Sequence, residues 1–182
     1  MKKVKITLRD GLVVEGDQFD MEDYKKLKEI FRDWVAINAK LKPLGGRGLN
    51  VPDVFSEALF CIFFNAIRTN GTAYSYDCVS LDTLAGIQIK SASIPNDCTS
   101  FGPTSTWDEI YYVDFAPNGQ VDGKVDFYKI DIDFSNLVLN AKKGETFRDQ
   151  QRQGRRPRFS MKSQLINAYN IKPCLSIDLL ED

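Results

Sequence analysis

The chain has 182 residues, 43% hydrophobic and 27% charged, with a formal net charge of −1, which is enough for one domain with a real core and too short for two full ones. It contains no histidine, and its four cysteines, at 61, 78, 98 and 174, form no CxxC pair. Ser-His-Asp triads, Cys-His nucleophiles and His-dependent nuclease or zinc sites are thereby excluded, a disulfide framework is not indicated, and any hydrolysis must run on carboxylates, amides, lysine and a hard metal.

The N-terminus, MKKVKITL, carries no cleavable signal pattern, and the longest apolar run, Ala58 to Phe64, falls far below the roughly 20 residues that cross a bilayer. A soluble, cytoplasmic protein is expected. KVKITLRDGLVVEG alternates Val4, Ile6 and Leu8 before Asp10-Gly11, a β-hairpin signal. From Met21 to about Leu41, Tyr24, Leu27, Ile30, Phe31, Trp34, Val35 and Ile37 recur at helical spacing and stop before Pro43, Gly45 and Gly46. A second, buried helix is expected to open at Val51-Pro52-Asp53 with Asn50 as N-cap and to close near Thr69-Asn70-Gly71, because VFSEALFCIFFNAI is apolar almost all round.

Strand-like runs follow at Ala73 to Leu81, Leu84 to Ile94, Glu109 to Phe115 and Val125 to Ile132, with turn residues between them. A short helix from about Ser160 to Tyr169 and a strand around Leu175 to Leu179 end the chain. This order reads as α+β: a central mixed sheet of four or five strands flanked by helices. Charge is unevenly distributed. From Lys142 to Lys172 nine basic residues face two acidic ones, a net of about +7, leaving about −8 on the remainder. A basic block on an acidic body points to a polyanionic partner. Gly154, Pro157 and few apolar residues besides Phe147 predict that Lys142 to Arg158 is a loop or arm that orders on DNA.

If the runs Ala73 to Leu81 and Leu84 to Ile94 pair antiparallel around Asp82-Thr83, Asp77 falls opposite Gln88, and alternation puts Gln88 and Lys90 on one face with Ile87 and Ile89 on the other. Glu57, inside the apolar helix, needs compensation: a divalent cation shared with Asp77, or an Arg partner such as Arg47 or Arg68. Mg2+ prefers carboxylate and neutral oxygens, including an amide carbonyl, and a lysine beside it can orient the attacking water and offset phosphate charge. These parts suffice for phosphodiester hydrolysis.

The order Glu57, Asp77, Gln88-Ile89-Lys90 resembles the PD-(D/E)XK nuclease superfamily, with Gln88 where the pattern usually has an acid. GRGLNVPDVFSEALF, with Arg47, Asn50, Pro52, Ser56 and Glu57, resembles the helix before the catalytic hairpin of many type II restriction endonucleases. The runs SEALFCIFFNAIRTNG, YSYDCVSL and GIQIKSASIPND resemble the subfamily named after Bsp6I, whose members recognise GCNGC; the likeness extends from about residue 40 to the end. The resemblance implies a restriction-endonuclease-like domain over 1–182, with a basic DNA-binding segment at about 142–172, and a Mg2+-dependent endonuclease acting on double-stranded DNA.

By the same resemblance Asp77, Gln88 and Glu57 hold the metal and Lys90 is the catalytic lysine. Arg148, Arg152, Arg155, Arg156, Arg158 and Lys162 are the candidate DNA contacts, Arg being suited to guanine O6 and N7. Cutting both strands of a two-fold site predicts a homodimer, formed through the first long helix or the aromatic Trp107 to Phe115 region. A non-catalytic DNA-binding protein on a degenerate nuclease fold is the alternative that the amide at 88 keeps open, and a repair-type nuclease of the same fold is a further one that dependence on a specific short sequence would exclude.

Overall fold

The structure is a computed structural model and describes residues 1–45, 48–70 and 75–181. Strands β1 (Lys2–Thr7) and β2 (Val13–Gln18) form the expected hairpin, registered from Lys2↔Gln18 to Thr7↔Val13, with Gly11 at φ 84°. Helix α1 (Met21–Leu41) starts where Asp20 accepts from the backbone of Glu22 and Asp23 while Asp23 returns a bond to the Asp20 N–H, a capping box. It runs into a 3-10 turn over Lys42–Leu44 and stops at Gly45, φ 74°.

Helix α2 (Asp53–Phe63) is buried continuously from Phe55 to Cys61. It departs from expectation at both ends. Pro52, not Asn50, occupies the cap position, and the helix ends at Phe63, after which Asn65 takes φ 46° and reverses the chain. Ala66–Thr69 is therefore strand β3, paired with β2 and with β4 (Cys78–Ser80). A short apolar run such as AIRT has no periodicity that separates a helix end from a strand. Ile67 packs with Val14 and Val79 in a small cluster of their own, whereas Ala66 joins the helix-side core. Of the longer strand expected from Ala73 to Leu81, Ala73 itself, like Gly71, Gly46 and Arg47, lies outside the described residues.

The chain continues through β5 (Gly86–Ala92), β6 (Thr99–Ser100), β7 (Glu109–Asp114), β8 (Lys124–Lys129), β9 (Val138–Asn140) and β10 (Glu145–Thr146). After α3 (Phe147–Arg152) and β11 (Arg158–Phe159) come a π-helical turn over Lys162–Asn167 and β12 (Leu175–Asp178). The main sheet has eight strands rather than four or five, in the order β1-β2-β3-β4-β5-β7-β8-β12, and β5–β7 is its parallel pair. The added strands are those of the N-terminal hairpin, joined through β3, while the strand expected around Leu175 to Leu179 is the edge strand β12. The fold is α+β with a mixed central sheet, as expected.

One face of the sheet carries α1 and α2, and Ile87, Ile89, Val113, Phe115 and Phe127 meet Phe31, Phe55, Leu59 and Phe60 there. The other face carries a second core of Phe101, Phe134, Phe147, Phe159, Met161 and Leu165 against Ile110, Tyr112 and Tyr128. The basic segment is part of this second core, which corrects the expectation of a DNA-ordered arm. Phe147 and Phe159 are buried, the Pro157 carbonyl accepts from Phe101 N–H at 3.0 Å, and β11 pairs with β6. Two aromatic anchors outweigh a charged composition, since each buries a large apolar area and makes ring contacts with Phe101 at 5.1 and 5.4 Å. Trp107 packs on Phe101 and Phe134, and β7 is an interior strand, so the Trp107 to Phe115 region is used up inside the protomer. Among the described residues no helix is long and apolar enough to cross a membrane.

Candidate active site

The β4–β5 register, Cys78↔Ile87 and Val79↔Gly86, continues outward to set Asp77 opposite Gln88, and the Asp77 N–H donates to the Ile87 carbonyl at 2.9 Å. The carboxylate is held by β5 itself. Oδ2 accepts from the Ile89 N–H at 2.7 Å and from the Gln88 amide nitrogen, while Oδ1 accepts no hydrogen bond among the described residues. The Gln88 amide nitrogen also lies 3.4 Å from the Ile89 carbonyl, so the Asp77 carboxylate, the Gln88 amide and the Ile89 main chain meet at one point. Ile87 and Ile89 point into the helix-side core, as strand alternation requires. Lys90 emerges on the opposite face, with Nζ 5.4 Å from the ring centroid of Phe101 in the second core.

Glu57 sits 8% exposed in α2 and accepts from Arg68 Nε. Arg68, one of the compensations open to a carboxylate in that helix, supplies it from β3, the strand read as helix. Glu57, Asp77 and Lys90 line one cleft of about 550 Å3, together with Asp53, Thr99 and Arg158. Sequence reasoning missed Asp53. Its spacing one helical turn before Glu57 was the available signal, since residues at i and i+4 share a helix face.

Electrostatics mark the same cleft. Burial pushes the Asp77 carboxyl up to about 6, against the opposing pull of the Ile89 N–H, and the neighbouring charges of Glu57 and Asp53 push the same way as burial. Burial also raises the Glu57 carboxyl despite Arg68, and burial lowers the Lys90 ammonium although Asp77, Asp53 and Glu57 draw it back up. Shifts of this kind in one cleft are characteristic of sites that do chemistry. Among the described residues no three His, Cys, Asp or Glu side chains converge closely enough to hold a metal ion. Any cation here would lean on Asp77 and on neutral oxygens.

The candidate DNA-contacting residues separate into groups. Arg158 lines the cleft, and the charge of Arg156 is felt at Lys90. Arg152 is exposed at the end of α3. Arg155 is drawn to Glu145 at 2.8 Å, and Arg148 donates to Ser135 Oγ at 3.0 Å. Lys162 is turned inward, paired with Asp114 at 2.7 Å and bonded to the Tyr128 hydroxyl at 3.1 Å.

A family model described as "Bsp6I restriction endonuclease" matches residues 19–168. The chain is 34% identical over 148 residues to the "Type II restriction enzyme Bsp6I" of Bacillus sp. (strain RFL6), covering 80% of this chain and 82% of that protein. It is also 36% identical over 85 residues to the "FACT complex subunit ctc-1" of Neurospora crassa, a likeness confined to 46% of this chain and 15% of that protein. No solved structure matches.

Proposed function

The chain belongs to the Bsp6I restriction endonuclease family and is a site-specific deoxyribonuclease of type II, and from that premise we propose that it cuts double-stranded DNA as a Mg2+-dependent homodimer at GCNGC, through Asp77, Gln88, Lys90 and Glu57. Restriction endonucleases of this kind are generally metal-dependent. The observation that carries the assignment of residues is that Asp77 and Ile89 line the cleft that Lys90 shares, with the buried Gln88 amide bonded to the Asp77 carboxylate behind them.

The donor set fits Mg2+, because it offers one carboxylate with a free oxygen, one amide carbonyl and one peptide carbonyl, all hard oxygens. Gln88 now turns its nitrogen to Asp77, so ligation through Oε1 requires the amide to turn over. The ion, when bound, supplies charge neutralisation at the scissile phosphate and acidifies a water. Glu57, tied to Arg68, acts as a supporting carboxylate that adds negative potential. Lys90, half-buried and with its ammonium destabilised by desolvation, is suited to exchange a proton with the attacking water and to face the phosphate once bound. Arg156 and Arg158 flank the same cleft and are placed for phosphate contact, while exposed Arg152 is free to reach a base edge.

The test is unmethylated plasmid incubated with the purified protein and Mg2+, with EDTA, and with Lys90→Ala. Discrete fragments that need Mg2+ and disappear in the variant, with ends mapping to GCNGC, are the expected result. Cleavage undiminished by Lys90→Ala would remove the lysine from the mechanism, and fragment ends at another sequence would overturn the recognition site.

A further inference from the structure

We propose that two copies of this chain associate through α1, packed antiparallel against α1 of the second copy about a two-fold axis that crosses the helix at residues 35 and 36. The proposal rests on the homodimer reading above and specifies its surface.

The first observation is an apolar stripe left partly open among the described residues. Ile30, Trp34, Ile37 and Leu41 follow one another at spacings of four, three and four, the seam pattern of paired helices. Ile30 is 50% exposed and Ile37 45%, Trp34 is half-buried at the border of the helix-side core, Leu41 is half-buried, and Leu44, a further three residues on, is 81% exposed. Single exposed isoleucines need no explanation, but a continuous seam of them marks a contact surface. Beside it, Ile30, Trp34, Val51 and Phe55 help to line a small apolar hollow of about 40 Å3, of a size to receive one side-chain tip.

The second observation is charge, and it selects both the occupant and its direction. Antiparallel packing that layers Trp34 on Ile37 of the second copy also layers Ile30 on Leu41, which brings the Leu41 tip towards the hollow. The same register sets Asp33 beside Lys40 of the second copy, and the two-fold makes that contact twice. Both residues are exposed, and neither forms an ion pair among the described residues. A parallel pair would instead set Asp33 near Asn38 and Lys40 near Gly45, where neither charge is answered. A surface that complements itself in shape and charge is what an isologous contact requires.

The third observation ties the seam to the chemistry. Trp34 Nε1 donates to the Leu49 carbonyl at 2.9 Å, Asn38 accepts from the Leu49 N–H at 2.6 Å, and the following residue, Asn50, lines the catalytic cleft. Pairing through α1 therefore sets the cleft of each copy next to the shared axis.

Sedimentation equilibrium of the full chain tests this, alone and with a GCNGC-containing duplex. Wild type is expected as a dimer, and Ile30→Glu with Ile37→Glu as a monomer. Because that variant replaces two apolar residues, the decisive set uses exposed charges. Asp33→Lys alone and Lys40→Asp alone each raise the dimer dissociation constant by about tenfold, since two attractive pairs become repulsive, and the double exchange Asp33→Lys/Lys40→Asp restores it. A wild-type dimer whose dissociation constant none of these changes moves would overturn the surface while leaving the homodimer intact. Weakening by both single changes without recovery in the double exchange would overturn the antiparallel register. A wild type that stays monomeric even on the duplex would overturn the homodimer itself, and this inference with it.

Discussion

The amide of Gln88 donates to the same oxygen of Asp77 that the Ile89 N–H reaches at 2.7 Å, so the position that carries an acid in the superfamily pattern here donates to its neighbour. An uncharged donor stabilises the carboxylate without a metal, and it removes one negative charge from any ion the site holds. Gln88→Glu reverses both effects. Two carboxylates in contact destabilise the metal-free protein by about 1–3 kcal/mol, measurable by urea denaturation in EDTA, while the half-saturating Mg2+ concentration for plasmid cleavage falls severalfold. An unchanged Mg2+ requirement would show that residue 88 does not face the ion.

Asp77 makes the site pH-dependent in a definite direction. Its carboxyl stands at about 6 in the folded protein, against 3.8 for an ordinary aspartate, so the folded state binds the proton more tightly than the unfolded one. The stabilisation is fully present below about pH 4 and is lost as pH rises through about 6. A shift of this size is worth on the order of 2–3 kcal/mol. Asp77→Asn, which keeps an oxygen to accept the Ile89 N–H, should therefore raise the melting temperature at pH 7.5 in EDTA, leave it nearly unchanged at pH 4, and abolish cleavage. A destabilised variant at pH 7.5 would show that the ionised carboxylate supports the fold.

Much of this was legible in the residues, for identifiable reasons. Helix α1 has a long 3.6-residue period with a capping acid, and β4–β5 has a short reversal that fixes its register, so the pairing of Asp77 with Gln88 followed from the place of the turn and the shared face of Gln88 and Lys90 from strand alternation. The misreadings fall where local pattern is degenerate. AIRT after a buried helix carries no period of its own, and only the partners β2 and β4 make it a strand. The 142–158 segment hid its anchors because Phe147 and Phe159 are single aromatics whose partners, Phe101 and Phe134, are distant in sequence. Arg68, which neutralises Glu57, could be named as a candidate but not chosen until β3 placed it.

The arginines of the basic segment should not contribute alike to DNA binding. Arg158 lines the cleft of Asp77 and Lys90 and Arg156 lies within electrostatic reach of Lys90, whereas Arg155 is already neutralised by Glu145 at 2.8 Å. A phosphate contact contributes through counterion release, which shows in the salt dependence. Arg158→Ala should lower the slope of log affinity against log salt by about 1 on any duplex, and Arg155→Ala should lower it much less. Arg152→Ala, if that side chain reads a guanine, costs about 1–3 kcal/mol on the cognate site and little elsewhere. Fluorescence anisotropy at four salt concentrations on cognate and scrambled duplexes separates these outcomes, and equal slopes for all three variants would leave the segment as an undifferentiated basic surface.

Phe159 joins that segment to Lys90. Its ring stacks on Phe101 at 5.4 Å and 10°, Phe101 in turn carries Lys90 Nζ at 5.4 Å, and its neighbour Arg158 pairs with Ser100 across β11–β6. Removing a fully buried phenylalanine costs about 3–5 kcal/mol through lost burial and the cavity left behind. Phe159→Ala should therefore lower global stability and also, at temperatures where it remains folded, reduce kcat more than it raises KM, because Phe101 loses its backing and Lys90 its fixed position. Phe159→Leu, which fills most of the volume, should recover the larger part of both. Hydrogen exchange across 142–158 gives an independent reading: amides bonded in β11 and α3 should be protected in the wild type without DNA and exposed in Phe159→Ala. An unprotected wild-type segment that becomes protected on adding duplex would instead return it to the role of an arm ordered by DNA.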